Sequence, residues 1–355
     1  MTVPLSDADA MDLLEGLVRI ESYSTQEEAA VRWLVERMAA LGMRAERDAA
    51  GNAVGVIGDG PRQVVLLGHI DTVPGVVPVR RENGALYGRG SVDAKGPLAA
   101  FVCAAARAAV PDGWQVVVVG AVEEEWATSK GAHFAATGYR PQWCIIGEPS
   151  GWDRVTLGYK GRLLAHYSLR QPGAHSAGQT PSAAEQAVAF WNQVAAVCAE
   201  MSAAEARAFD QVTPGLRSIN TGSDGLYETA EMVIGFRLPP AVSPHAVEAR
   251  VAALAGLAEV RFTGHETAYR AEKNTEVARA FLRAIRAEGG MPAFKVKTGT
   301  SDMNVVAPVW QCPIVAYGPG DSALDHTPHE HVPIEDFHRA VRVLTDVLSA
   351  LPTDA

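Results

Sequence analysis

Three short apolar runs in the first half of the chain each end in an acid or an imidazole. Residues 64–67 run into Gly68-His69-Ile70-Asp71, residues 116–122 into Glu123-Glu124-Glu125, and residues 143–147 into Glu148-Pro149. These runs do not alternate with polar residues. They read as strands covered on both faces, as in a layered α/β sheet. In open α/β sheets ligands bind beyond the carboxyl ends of the strands, so the pattern predicts His, Asp and Glu delivered to one edge. A fourth piece, residues 87–96, places Asp93 in a Gly-rich loop just before an Ala-rich helix predicted over 95–110. Carboxylates and imidazoles gathered at a buried edge repel one another unless a cation sits between them. Oxygen and nitrogen donors without cysteine suit zinc, cobalt or manganese.

Composition narrows the class. With 48% hydrophobic and 20% charged residues over 355 positions, the chain is not a disordered one, and its length predicts about two domains. No uncharged stretch approaches the roughly 20 apolar residues of a spanning helix. The first basic residue is Arg19, so no signal peptide is expected and the predicted location is the cytoplasm. A net charge of −10 argues against nucleic acid and anionic membranes as partners. Cys103, Cys144, Cys198 and Cys312 match no CxxC or zinc-ribbon spacing and read as reduced thiols.

Along the chain, capping boxes are expected at Ser6 and Thr25, the second opening a helix over 27–41 that Gly42 stops. Strands are predicted at 53–57, 63–67, 115–122 and 143–147. Near residue 155 the style changes. A strand over 163–170, a helix over 181–199, a strand over 230–238, a helix over 251–257 and a strand over 259–263 suggest one sheet with helices on one side. A helix over 276–289 resumes the first style. The expectation is an α+β insertion, 155–270, within a discontinuous domain made of 1–154 and 271–355. Neither GxGxxG nor GxxxxGK[ST] is present. No GxSxG elbow exists either; Gly173-Ala-His-Ser176-Ala-Gly178 is a near miss.

Taken in order, His69-x-Asp71, Gly88-Arg-Gly-x-x-Asp93-x-Lys-Gly, Glu123-Glu124-Glu125, Gly147-Glu148-Pro149 and His326-Thr-Pro-x-Glu330 resemble the co-catalytic dinuclear zinc aminoacylase/carboxypeptidase family, which includes acetylornithine deacetylase and succinyl-diaminopimelate desuccinylase. The resemblance covers nearly the whole chain. It implies a phosphorylase/hydrolase-like three-layer α/β/α catalytic domain carrying an inserted ferredoxin-like lid that also dimerises. It implies two Zn2+ (or Co2+) per subunit. His69 and Glu148 would hold one, Glu125 and His326 the other, and Asp93 would bridge them. Asp71 would hold His69 by its second nitrogen. Glu124 would be the general base for an attacking water. A slip by one residue, with Glu123 as base and Glu124 as ligand, stays open. His326 is preferred to His329 and His331 because the family histidine precedes a Glu by four.

The same resemblance places His175 where a lid histidine reaches across a dimer to the partner's oxyanion, and Asn220 where a lid asparagine meets substrate. Thr300 and Ser301, in Thr298-Gly-Thr-Ser-Asp-Met-Asn304, fall in a segment that would hold a substrate carboxylate. This wording, with Gly-Ala-Val-Glu-Glu-Glu and Gly-Tyr-Lys-Gly-Arg162, looks most like one branch of the family. That branch releases lysine, or ornithine, from the C-terminal glutamate of a small acidic amino-group carrier protein. Small N-acyl amino acids of the acetylornithine or succinyl-diaminopimelate type, and dipeptides, are the alternative substrates. A chain at −10 repels an acidic carrier at long range, so a local basic patch is needed. Arg80, Arg81, Arg89, Arg162, Arg170 and Arg217 are its candidates.

Overall fold

The computed structural model describes residues 5–175 and 177–353. They form two compact units. Of the described residues, the larger comprises 5–158, 271–295 and 301–353, and the smaller 159–175, 177–270 and 296–300. Ser176 of the near-miss motif lies outside the described residues.

In the larger unit Arg62–His69 is the strand on which the sheet turns. It pairs in parallel with Trp114–Ala121 on one side and Trp143–Gly147 on the other. Ile314–Tyr317 pairs in parallel with Trp143–Gly147. Beyond Trp114–Ala121 the antiparallel strands Ala53–Gly58 and Arg44–Arg47 complete that side. Val64, Val65, Leu66 and Leu67 are all fully buried, as are Val116, Val118 and Val119. Successive side chains point to opposite faces, so burial of consecutive residues means that both faces are covered. Helices Asp7–Val18, Lys95–Arg107, Glu276–Ala287 and Ile334–Ser349 pack on one another as one group, and Lys130–Gly138 packs on Asp302–Trp310 as another. The first group comes very close to the sheet at Gly147. A Cβ there would lie 2.8 Å from Phe101 and 2.9 Å from the Gly68 Cα.

In the smaller unit the four strands are ordered Thr213–Ser223, Tyr227–Leu238, Gly161–Pro172, Glu259–Glu266, all antiparallel. With helices Ala183–Met201 and Pro244–Ala252 this is a β-α-β-β-α-β ferredoxin-like arrangement. Leu163, Ala165, Tyr167 and Leu169 alternate onto the helical side, where Phe190, Val194, Val247 and Val251 meet them. The other face stays open. Among the described residues, no helix is long and apolar enough to cross a membrane.

Two local expectations are corrected. Ser6 does form a capping box with Asp9, but Thr25 does not. The second helix begins at Glu28 with Glu27 as its N-cap residue, and the Glu27 carboxylate turns back to accept from the Thr25 N–H at 2.8 Å. The helix expected at 251–257 is Pro244–Ala252. Ser243 caps it, and Pro244 fits the first turn, where no N–H is needed.

Candidate metal centre

Four parallel strands deliver their ends to one edge of the larger unit. The registers His69↔Ala121, Gly68↔Gly147 and Tyr317↔Gly147 put the residues that follow each strand side by side. There the sequence places His69, the acid triplet, Glu148 and the loop leading to His326.

Asp93 stands at the middle. Its Oδ1 lies 3.2 Å from His69 Nε2, and its Oδ2 lies 3.0 Å from His326 Nε2. Glu148 approaches His69 Nε2 at 3.9 Å, and Glu125 Oε1 approaches His326 Nε2 at 2.8 Å. Two donor sets thus share one carboxylate: His69, Asp93 and Glu148, and Asp93, Glu125 and His326. Glu124 joins His69 and Glu125 in a third overlapping group.

Loops aim these groups through buried hydrogen bonds. Asp71, fully buried, accepts from the Glu124 N–H at 3.1 Å and the Glu125 N–H at 3.0 Å, and from the Ser24 hydroxyl at 2.7 Å. His69 Nδ1 faces the Asp71 carbonyl at 3.0 Å and its carboxylate at 3.4 Å. Donation from Nδ1 turns Nε2 toward Asp93 and Glu148, the nitrogen free to serve as a ligand once deprotonated. So Asp71 anchors both the imidazole and the backbone of Glu124 and Glu125.

Glu123 turns out of the cluster. It sits in the left-handed region at φ +61, its N–H donates to Glu27, and its carboxylate takes the Thr128 hydroxyl and pairs with Lys130. Of the three glutamates, the geometry brings Glu124 and Glu125 to the edge. His326 is held in the same sparsely populated region, at φ +60. His331 lies in a short strand and stacks on Tyr87 at 4.6 Å between ring centroids; His329 is exposed.

The cluster's electrostatics express crowding. Burial pushes the Glu124 carboxyl well above the usual carboxylate range, and Asp302, Glu125 and Glu148 push it the same way. Burial and the charge of Asp93 raise Glu125. Burial works against ionised Asp93, but His326 and His69 together hold it below its ordinary value. Bonds to Asp93 and Glu125 raise His326 to about 10. Burial would lower His69, yet Asp71 and Asp93 keep it well above an ordinary imidazole. Protons hold these like charges together, which is the task a divalent cation performs when its ligands are deprotonated. The donors are nitrogen and oxygen, with a shared carboxylate between two sets; this fits a pair of zinc-class cations.

Three further residues carry weight that the sequence reading did not assign. Glu330 is fully buried. Its Oε1 accepts from the Val92 and Asp93 N–H groups, each at 3.1 Å, and its Oε2 from Arg89 at 2.6 Å. It thereby fixes the loop that presents Asp93. Glu27 does the same for Glu123. Asp302 has a buried Oδ1 without a hydrogen-bond partner, and burial raises its carboxyl to about 8. The signal for Glu330 was present, since it closes the last motif, but its job depends on a partner some 240 residues away.

Ser301 is buried in the larger unit as the N-cap of Asp302–Trp310, its Oγ accepting from the Met303 N–H at 3.2 Å. In the smaller unit Thr300 accepts from Arg237, Asn220 lies exposed on the edge strand Thr213–Ser223, and His175 Nδ1 accepts from the Ala177 N–H in an exposed loop. The arginines proposed as a basic patch are mostly spent. Arg80 pairs with Glu82, Arg81 with Glu15 and Asp12, Arg89 with Glu330, Arg162 with Glu266 and Arg170 with Asp224. Arg217 lies over Gly235, where a Cβ would be 3.2 Å from its Cδ.

A mixed α/β sheet whose parallel strands end in two imidazole–carboxylate sets sharing an aspartate, with a partly buried glutamate alongside, fits a metal-dependent hydrolase. Similarity to known proteins agrees. Residues 65–350 match the model of Peptidase family M20/M25/M40, and the chain belongs to that family. It is 49% identical to the [LysW]-lysine hydrolase of Deinococcus radiodurans, over 98% of this chain and 99% of that one. A Thermococcus kodakarensis protein, 38% identical over 98% of this chain and 93% of its own, carries a name that pairs [LysW]-lysine with [LysW]-ornithine hydrolysis. Among solved structures, an M20 family metallo-carboxypeptidase from Sulfolobus solfataricus shares the fold. Its TM-score is 0.80 at 18% identity, over 96% of this chain and 98% of that one.

Proposed function

We propose that this enzyme hydrolyses the amide that joins lysine to the C-terminal glutamate of an amino-group carrier protein, in the cytoplasm, as the releasing step of lysine biosynthesis. The observation that carries the reading is the 49% identity, over almost the full length of both chains, with a protein named for that reaction. Ornithine on the same carrier is the second substrate, favoured by the name of the Thermococcus relative.

In this reading His69 and Glu148 would hold one zinc, Glu125 and His326 another, and Asp93 would serve both. When bound, such a pair lowers the pKa of a water and polarises the scissile carbonyl. Glu124 takes the water's proton and returns it to the leaving amine; a carboxyl whose proton affinity is raised by burial is a better base than an exposed one. Asp71 keeps His69 in the Nδ1–H tautomer and holds the backbone of Glu124 and Glu125. Residues 1–154 and 271–355 act as the catalytic body and 155–270 as lid and dimerisation module. Thr213–Ser223 supports that role: it is an edge strand with Leu216 and Ile219 exposed, a surface that a twofold copy would bury. In the dimer His175 reaches the partner's oxyanion. Asn220, Thr300 and Ser301 line the substrate side, and Arg217 helps meet the acidic carrier.

The test is a substrate panel with zinc or cobalt supplied: carrier loaded with lysine, carrier loaded with ornithine, N-acetylornithine and N-succinyl-diaminopimelate. Turnover is expected on the loaded carrier. Fast turnover of the small N-acyl substrates with none on the carrier would sink the assignment. A fully active monomer in sedimentation would remove His175 and the dimer from it.

A further inference from the structure

The smaller unit holds a second meeting of histidine and carboxylate. Helix Pro244–Ala252 places His245 and Glu248 three residues apart, on one face. His265 arrives from strand Glu259–Glu266. His245 Nδ1 lies 3.3 Å, and His265 Nε2 2.7 Å, from the same Oε2 of Glu248. The ring centroids are 5.0 Å apart, and the three potential ligand atoms lie within 4.8 Å of one another.

The direction of His265 is built by the backbone. Val260 and Phe262 pack on the helical side of the sheet. Strict alternation would send residues 264 and 266 to that side and turn His265 away. The ladder instead shifts between Thr263 and Glu266, with Gly264 in the left-handed region at φ +68. One extra residue reverses the facing of every later residue in the strand. Glu266 therefore comes beside Arg162 on the open face, at 2.9 and 3.1 Å, and His265 comes beside Glu248.

We propose that His245, Glu248 and His265 form a binding site for a divalent transition cation of the zinc class, separate from the centre in the larger unit. Two imidazole nitrogens and one carboxylate oxygen are a three-ligand set that water completes to a tetrahedron. The set disfavours magnesium and calcium, which prefer oxygen donors. A cation there ties the helix to the strand and, by mass action, stabilises the smaller unit.

The experiment uses the full chain, freed of metal by chelation and brought to equilibrium dialysis against Zn2+. Bound zinc is counted by mass spectrometry in the wild type, His265→Ala and Glu248→Gln. Each variant is expected to hold one zinc fewer per chain than the wild type, with hydrolytic activity unchanged. The readout is a difference, so it stands apart from how many cations the larger unit takes and from which substrate is hydrolysed. Equal zinc in the wild type and both variants at saturation would overturn the proposal. If His265→Ala folds poorly by circular dichroism, His245→Asn replaces it; that side chain is 81% exposed and its loss leaves no cavity.

Discussion

Among the described residues, histidine and carboxylate side chains gather in groups of three or more at two places, and the two obey different physics. At Asp93 only His69 and Glu148 are fully enclosed at the sheet edge; Asp93, Glu124 and Glu125 are partly buried and His326 stands at the exposed rim, while buried partners such as Asp71 and Glu330 do the aiming. Protonation states there are driven far from ordinary values. At Glu248 the three groups stand on a solvated face, where water screens them and a single bulge glycine does the aiming. A buried cluster needs a counter-charge to exist, whereas an exposed one merely tolerates it. Substitutions should separate the two sharply.

The largest effect is expected at Glu124. Glu124→Gln keeps the shape and removes the base, so turnover should fall by about 10²–10⁴-fold while bound metal stays unchanged. Retained activity would break the mechanism, and lost metal would recast Glu124 as a ligand. Next comes Glu330→Gln, which leaves Arg89 without its ion pair and loosens the Asp93 loop. Metal affinity or activity should drop roughly 10–100-fold, as for other groups that orient ligands. An unchanged metal titration would mean that the loop holds itself.

Proton release sharpens the contrast. His326 is raised to about 10 by Asp93 and Glu125, so in the metal-free protein it carries a proton at pH 7. Asp302, raised to about 8 by burial, carries one as well. Because its partners raise His326, its contribution to metal-free stability is full below the unfolded value near 6.5 and lost as pH climbs through about 10. A cation that binds must displace that proton, so affinity should rise with pH between about 7 and 10. Titration calorimetry at about pH 7 in buffers of different ionisation heat should report more than one proton released per chain. Heat independent of the buffer would contradict the protonation pattern.

The buried centre was largely legible in the sequence, and the surface cluster was not. Apolar runs that end in His69, Glu123 and Glu148 can be read because a doubly covered strand leaves an unbroken apolar run and its carboxyl end is fixed by topology. The partners that aim those residues were harder to see. Glu330 and Asp93, like Glu27 and Glu123, are joined only by the fold, and Thr25 looked like a cap because its spacing to Glu28 ignores the backbone turn at φ +73. Strand Thr213–Ser223 went unseen because nearly every residue on it is exposed, so no burial pattern marks it. His265 hid for another reason: simple alternation assigns it to the wrong face, and only the Gly264 bulge corrects it.

The smallest effect tests the exposed member of the pair. His265→Ala removes a half-exposed ring whose partner is solvated, so without metal the melting temperature should stay within about 1–2 °C of wild type. Surface ion pairs contribute little because hydration competes with them and ordering two side chains costs entropy. With saturating zinc the two proteins should diverge, since only the wild type gains from cation binding at that face. Thermal scans of both, with and without zinc, compare the four states directly. A large drop in the metal-free pair would show that His265 is a packing residue, and that the difference between the buried and the exposed cluster is one of degree.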